Sequence, residues 1–155
     1  MIPTRRATHA AVLGLMLAVV AGCASAPKPI EAKAAVVAAS NVNPDIEGHP
    51  APIVVRVYEL KEEGAFKNAD YFRLMDREQE ALGTSLVARE EYELQPGESR
   101  TWELKIAPEV HFLGVAAGYR DLANSSWKAV MPAPRKRRNV TFDVGKSVVS
   151  IMVNK

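Results

Sequence analysis

The chain has 155 residues, 20 Lys and Arg against 18 Asp and Glu, a single cysteine and 48% apolar residues. That length suits one domain with its own core, and a lone cysteine excludes an intramolecular disulfide scaffold, so burial must hold the fold together. The near balance of charge gives no footing for nucleic-acid binding.

Arg5 and Arg6 form a positive n-region, residues 10–21 an apolar h-region, and Ala21 and Gly22 the small residues before a cut, so residues 1–22 read as an export signal. The apolar run is shorter than the roughly 20 residues of a membrane-spanning helix. Ala7-Thr8-His9 after the arginine pair lacks the apolar residues expected for twin-arginine export, which favours the general secretory route. Removing the signal takes away two arginines and no acid, leaving 133 residues with 18 basic and 18 acidic side chains. Val20-Ala21-Gly22-Cys23 resembles the bacterial lipobox, in which the thiol is diacylated and cleavage before the cysteine frees an amine for a third chain. Cys23 is therefore expected to carry N-acyl and S-diacylglycerol groups, with no other cofactor. More than one acyl chain is what stable anchoring requires. Ala24, rather than aspartate, resembles lipoproteins sorted to the outer membrane.

Residues 23–31 carry the sequence CASAPKPIE and read as a tether, the part after the cysteine spanning at most ~28 Å. A domain over residues 32–155 follows. Residues 34–39 predict a first strand, although their alanines would equally permit helix; Asn43-Pro44-Asp45, Gly48 and Pro50-Ala51-Pro52 mark a loop; residues 53–60, rich in β-branched side chains, predict a strand covered on both faces. Between 66 and 83 the spacing of Tyr71, Leu74 and Met75 predicts two short helices, with Asp76 as an N-cap, Gln79 as its N3 partner and Gly83 as the stop. They should pack on the sheet through Phe66, Phe72 or Tyr71, Leu74 and Leu82. Residues 86–94 and 101–106 alternate around Gln95-Pro96-Gly97-Glu98 and predict a hairpin. Further strands fall at 112–120, 127–131, 139–144 and 147–153, the last two joined around Gly145-Lys146. Gly114, Ala116 and Gly118 share one strand face and leave room there for the helical insertion. The expected fold is an all-β, two-sheet β-sandwich with a small helical insertion.

Catalytic groups are sparse. His49 and His111 are the only histidines left after processing, and they offer no metal spacing; Glu90 and Glu91, as strand neighbours, point to opposite faces and form no acid/base pair. No nucleophile elbow, phosphate loop or zincin helix occurs. Arg135, Lys136, Arg137 and Arg138 are the densest charge run. They read either as a solvated loop or as a contact to anionic headgroups or an acidic partner, where each basic residue contributes about 1 kcal/mol.

The order and spacing of several segments resemble the TssJ family (also VasD or SciN), the outer-membrane lipoprotein of type VI secretion systems. They are Asn43-Pro44-Asp45 with Gly48 and Pro52, then Val54-Val55-Arg56-Val57-Tyr58-Glu59-Leu60-Lys61, and Phe66 with Ala69-Asp70-Tyr71-Phe72 and Leu74. Leu82-Gly83, Leu94-Gln95-Pro96-Gly97-Glu98, Gly114-Val115-Ala116-Ala117-Gly118-Tyr119-Arg120-Asp121 and Trp127 complete the set. The resemblance implies a transthyretin-like sandwich, no enzymatic activity, and a place on the periplasmic face of the outer membrane. There it would bind the periplasmic C-terminal region of TssM, with no nucleic acid and no small-molecule substrate. The family's contact loop lies between the first two strands. Here that loop is 43–51, so Asn43, Pro44, Asp45, Ile46, Glu47, Gly48 and His49 become candidate contact residues, in a loop shorter than some members carry. The rival readings are a free-standing periplasmic lipoprotein for a small molecule or glycan, and a transthyretin-like hydrolase, which would need a cluster of histidines.

Overall fold

A computed structural model describes residues 27–154; the signal, Cys23 and the first part of the tether lie outside the described residues. Period-two alternation carries the first strand, β1 (Ile30–Ala38), whose Ala32, Ala34, Val36 and Ala38 are buried while Glu31 and Lys33 face water. β1 starts at Ile30, two residues inside the segment read as tether. The strands that follow are β2 (Ile53–Leu60), β3 (Leu86–Leu94), β4 (Ser99–Ile106), β5 (Phe112–Ala117), β6 (Lys128–Pro132), β7 (Asn139–Val144) and β8 (Val149–Asn154). They form two four-stranded sheets, ordered β4-β1-β7-β8 and β3-β2-β5-β6. β1 and β7 run parallel; the other pairs are antiparallel. Val36, Val55, Leu94, Leu104, Leu113, Val115 and Phe142 meet between the sheets, each contributing about 1.5–3 kcal/mol on full burial.

The expected hairpin around Gln95-Pro96-Gly97-Glu98 is a sheet-to-sheet crossing instead. β3 pairs with β2, Ile53 opposite Leu94, and β4 pairs with β1, Val37 opposite Ser99. The turn itself forms, with Gly97 at φ +79° and the Glu98 amide donating to the Gln95 carbonyl at 2.9 Å. It docks on the end of β1, through the Gly97 amide on the Ala39 carbonyl and the Ala38 amide on the Glu98 carbonyl. Alternation fits both arrangements, because Tyr92 and Leu94 meet Trp102 and Leu104 whether the strands lie side by side or face each other. The Tyr92 and Trp102 rings lie 5.0 Å apart. The hairpin around Gly145-Lys146 does form, joining β7 and β8.

The insertion holds three short helices rather than two: α1 (Gly64–Asn68), α2 (Tyr71–Asp76) and α3 (Glu78–Leu82). Asp70, not Asp76, is the side-chain cap, accepting from the Arg73 amide at 3.0 Å. Asp76 ends α2, and Arg77, at φ −137° and ψ 46°, separates it from α3. Phe66, Leu74 and Leu82 join Tyr58, Leu60 and Ala116 in a second core on the outer face of the β2–β5 pair. A Cβ at Gly114 would lie 3.0 Å from the Phe66 ring, and one at Gly118 would lie 3.2 Å from the Tyr71 hydroxyl. The small-residue face of β5 therefore receives the helices. Tyr71 packs on Trp127 with ring centroids 5.2 Å apart, leaving Phe72 65% exposed. Lys128 on β6 closes this junction: its ammonium donates to the carbonyls of Phe66, Lys67 and Ala69 at 2.9, 2.7 and 2.6 Å. Three donors meet the carbonyls at the end of α1 that have no partner inside that helix.

Candidate functional site

Because β1 and β7 run parallel, the sandwich has two distinct poles. At the Ala38 end of β1 gather the loop 39–52, the loop after β5 and the β7–β8 turn; at the Ile30 end, about 26 Å away at strand rise, lie the incoming chain and the basic run.

The first pole is built on Asn43. Its backbone is at φ 48°, a left-handed conformation that asparagine tolerates better than most residues. Its side chain is only 3% exposed and is used twice, donating to the Pro52 carbonyl at 2.8 Å and accepting from the Arg120 amide at 2.8 Å. One buried amide thus staples the loop to the strand that follows it and to the end of β5. The tip closes on Asp45, whose Oδ1 accepts from the amides of Glu47 and His49, both at 2.9 Å. The Asp45 amide donates to the His49 carbonyl at 2.9 Å and the Gly48 amide to the Asp45 carbonyl at 3.0 Å, with Gly48 at φ +88°. The amide of His49, ahead of lesser contributions, holds the Asp45 carboxyl below its ordinary range. His49 Nδ1 lies 3.3 Å from Asp45 and 3.5 Å from Glu47.

The closed tip leaves Ile46 nothing to pack against. Its exposure reaches 104%, although the other described isoleucines are buried wholly or in part. Beside it opens a cleft of ≈ 850 Å³ between the loop, the segment after β5 and the β7–β8 turn. Arg120 and Lys146 line it with positive charge, Asp45, Glu47 and Asp121 with negative. Tyr119 supports its floor, its buried hydroxyl donating to the Gly145 carbonyl at 2.9 Å, and burial pushes that hydroxyl's pKa up. Asp121 holds its own loop by accepting from the Asn124 amide at 3.3 Å and side chain at 2.9 Å.

Of the predicted contact residues, Pro44, Asp45, Ile46 and Glu47 line the cleft, whereas Asn43 lines it mainly as its buried staple. Sequence reasoning missed Tyr119, Arg120, Asp121, Asn124, Lys146 and Ser147 as lining residues. The available signal was that Arg120-Asp121 and Gly145-Lys146 both end strands, but which pole each end joins depends on topology. Arg135, Lys136, Arg137 and Arg138 sit together, exposed, at the other pole, where Arg137 shares a shallow groove with Lys28, Ile30 and Lys105. Cys23 lies outside the described residues. Among the described residues no group of three His, Cys, Asp or Glu side chains could hold a metal, and no helix is long and apolar enough to cross a membrane.

These features define a class: a transthyretin-like two-sheet β-sandwich with a small helical insertion. The chain belongs to the type VI secretion lipoprotein family (VasD, EvfM, TssJ), whose sequence model matches residues 31–155. It is similar to the type VI secretion lipoprotein TssJ1 of Pseudomonas aeruginosa, at 36% identity and TM-score 0.78, covering 82% of this chain and 98% of that one. A chain of a type VI membrane complex matches at 26% identity and TM-score 0.66, covering 81% and 98%. A chain in a structure of the TssM C-terminal domain from EAEC matches at 25% and 0.61, again covering 81% and 98%. Lip of Serratia marcescens, a membrane-bound component of the same system, shares the fold at 24% identity and TM-score 0.72, covering 79% and 96%. Among curated proteins no significant relative is found.

Proposed function

We propose that this lipoprotein is a non-catalytic anchor of the type VI secretion membrane complex, holding the periplasmic C-terminal region of TssM to the outer membrane. Acylated Cys23 secures one pole, and the loop pole takes the partner. The observation that carries this reading is the loop 43–49, closed by its own hydrogen bonds while presenting an unpacked isoleucine beside a cleft of mixed charge. A preformed loop loses little conformational entropy on docking, an exposed aliphatic side chain supplies an apolar anchor, and paired charges around it set register. The similarity to chains of a type VI membrane complex and of a TssM C-terminal domain structure supports the choice of partner. A small ligand is the poorer fit, since its sites are mainly apolar and charged side chains ring this cleft.

Calorimetry of the mature lipoprotein with the TssM periplasmic domain tests the reading. Ile46→Asp is expected to weaken binding about tenfold or more, equivalent to about 1.4 kcal/mol, with the thermal midpoint unchanged because Ile46 touches no core. Unaltered affinity would remove the loop from the interface. Absence of binding by the wild-type chain would leave a free-standing carrier of a small molecule or glycan as the better description.

A further inference from the structure

The contact proposed for TssM does not draw on the basic run, which lies at the opposite pole. Its backbone is tied down: the Ala133 amide donates to the His111 carbonyl at 2.8 Å, and buried Ala133 and Val140 flank the run on both sides. Arg135 also reaches the Val110 carbonyl at 3.4 Å. The four cationic side chains nevertheless stay exposed. Five other arginines do pair with carboxylates, Arg56 and Arg89 with Glu91, Arg73 and Arg77 with Glu80, and Arg100 with Glu98, while Arg120 at the loop pole does not, among the described residues. Among the described residues no ion pair involves Arg135, Lys136, Arg137 or Arg138. Two further cations, Lys28 and Lys105, face the same groove as Arg137, against the single carboxylate of Glu31 there.

Position decides what such a surface meets. Lys28 is five residues from Cys23, at most ~18 Å of extended chain. If the acyl chains sit on Cys23, the basic pole is the part of the domain held nearest to the headgroups. Each basic residue near a negatively charged surface contributes about 1 kcal/mol, and the attraction decays within a Debye length.

We infer that Arg135, Lys136, Arg137 and Arg138, with Lys28 and Lys105, form a second attachment that binds anionic phospholipid headgroups and stands the sandwich upright, with its cleft facing away from the bilayer. The inference rests on the acylated-Cys23 reading for where the membrane lies. A single point of attachment fixes a distance and no orientation. A cationic surface beside its entry point adds the second constraint, so that the loop pole is presented to a partner arriving across the periplasm.

The test uses the mature acylated lipoprotein in supported bilayers, labelled at Ala123→Cys, an exposed position at the loop pole, with acceptor dyes on the headgroups. The mass of the purified chain reads acylation separately. In bilayers containing phosphatidylglycerol, energy transfer from the label is expected to be several-fold lower than in phosphatidylcholine alone, because the pole is held away from the surface. About 1 M salt, where the Debye length falls to about 3 Å, is expected to remove the difference. The variant Arg135→Glu, Lys136→Glu, Arg137→Glu, Arg138→Glu is expected to lose it too, with TssM affinity unchanged; Arg137→Glu alone, which disturbs the loop less, should reduce it in part. Equal transfer in both bilayers, or a dependence that survives charge reversal, would overturn the inference while leaving TssM binding intact. Loss of TssM binding together with unchanged lipid dependence would also overturn it, assigning the run to an acidic protein surface.

Discussion

The two poles of the sandwich are both loops rich in polar residues, yet they are organised in opposite ways. At the first, side chains are spent on the loop's own backbone: Asn43 and Asp45 between them satisfy the Pro52 carbonyl and the amides of Arg120, Glu47 and His49. At the second, backbone contacts hold the chain and the four charged side chains are left to solvent, apart from one long bond from Arg135. A shape fixed by buried hydrogen bonds suits recognition of one protein surface. Unpaired cations on a fixed backbone suit a diffuse field. Equivalent substitutions at the two poles should therefore differ in what they damage.

The largest effect is expected at Asn43. Asn43→Ala removes a buried side-chain amide, leaving its two partners, the Pro52 carbonyl and the Arg120 amide, without mates, and places an alanine at φ 48°. Each unsatisfied buried group costs about 1–3 kcal/mol, so chemical denaturation should report a loss of about 3 kcal/mol together with weakened TssM binding. A loss below about 0.5 kcal/mol would mean that the loop closes without its staple, and the contrast between the poles would fail.

A smaller effect, confined to the loop, follows from Asp45. Its carboxyl is held below the ordinary value of 3.8, chiefly by the His49 amide. A depressed native pKa means that the unfolded loop binds the proton more readily, so loop order is fully present above pH 3.8 and is lost as pH falls through the lower native value. The Asp45 side-chain carboxyl carbon, followed by NMR against pH, should therefore titrate with its midpoint below 3.8, and the amide shifts of Glu47 and His49 should carry a component with that same midpoint. Asp45→Asn, which keeps an acceptor oxygen, should abolish that component. A titration centred above 3.8 would contradict the hydrogen bonding described.

The sandwich, the helical insertion and most strand positions were legible because burial alternates along β1, β2 and β7 with the pleat, and because small residues at Gly114 and Gly118 announce a close neighbour. The pairing of β3 and β4 was not. Alternation says which side chains point inward but not whether two successive strands share a sheet, and the Gln95-Pro96-Gly97-Glu98 turn forms equally well in a crossing. The helix cap was not legible either: Asp70 and Asp76 both precede helical spacing, and the structure places Asp76 inside the end of α2 while Asp70 caps its start. The candidate loop was legible from its prolines and Asx residues, whereas the far wall of its cleft comes from strand ends that only the fold brings together.

The smallest effect sharpens the comparison most. Arg137→Ala deletes an exposed side chain that makes no ion pair among the described residues, and surface substitutions of that kind move stability by no more than about 0.5 kcal/mol. Thermal midpoint and TssM affinity should both stay at wild-type values. If the basic pole works through summed charge, losing one of its cations weakens headgroup attraction by about 1 kcal/mol, whichever arginine of the run is removed. Arg138→Ala should then match Arg137→Ala in the bilayer experiment. A loss confined to one of them would mean that the pole recognises a headgroup by geometry, as proposed for the loop pole and its partner, and the two poles would work alike.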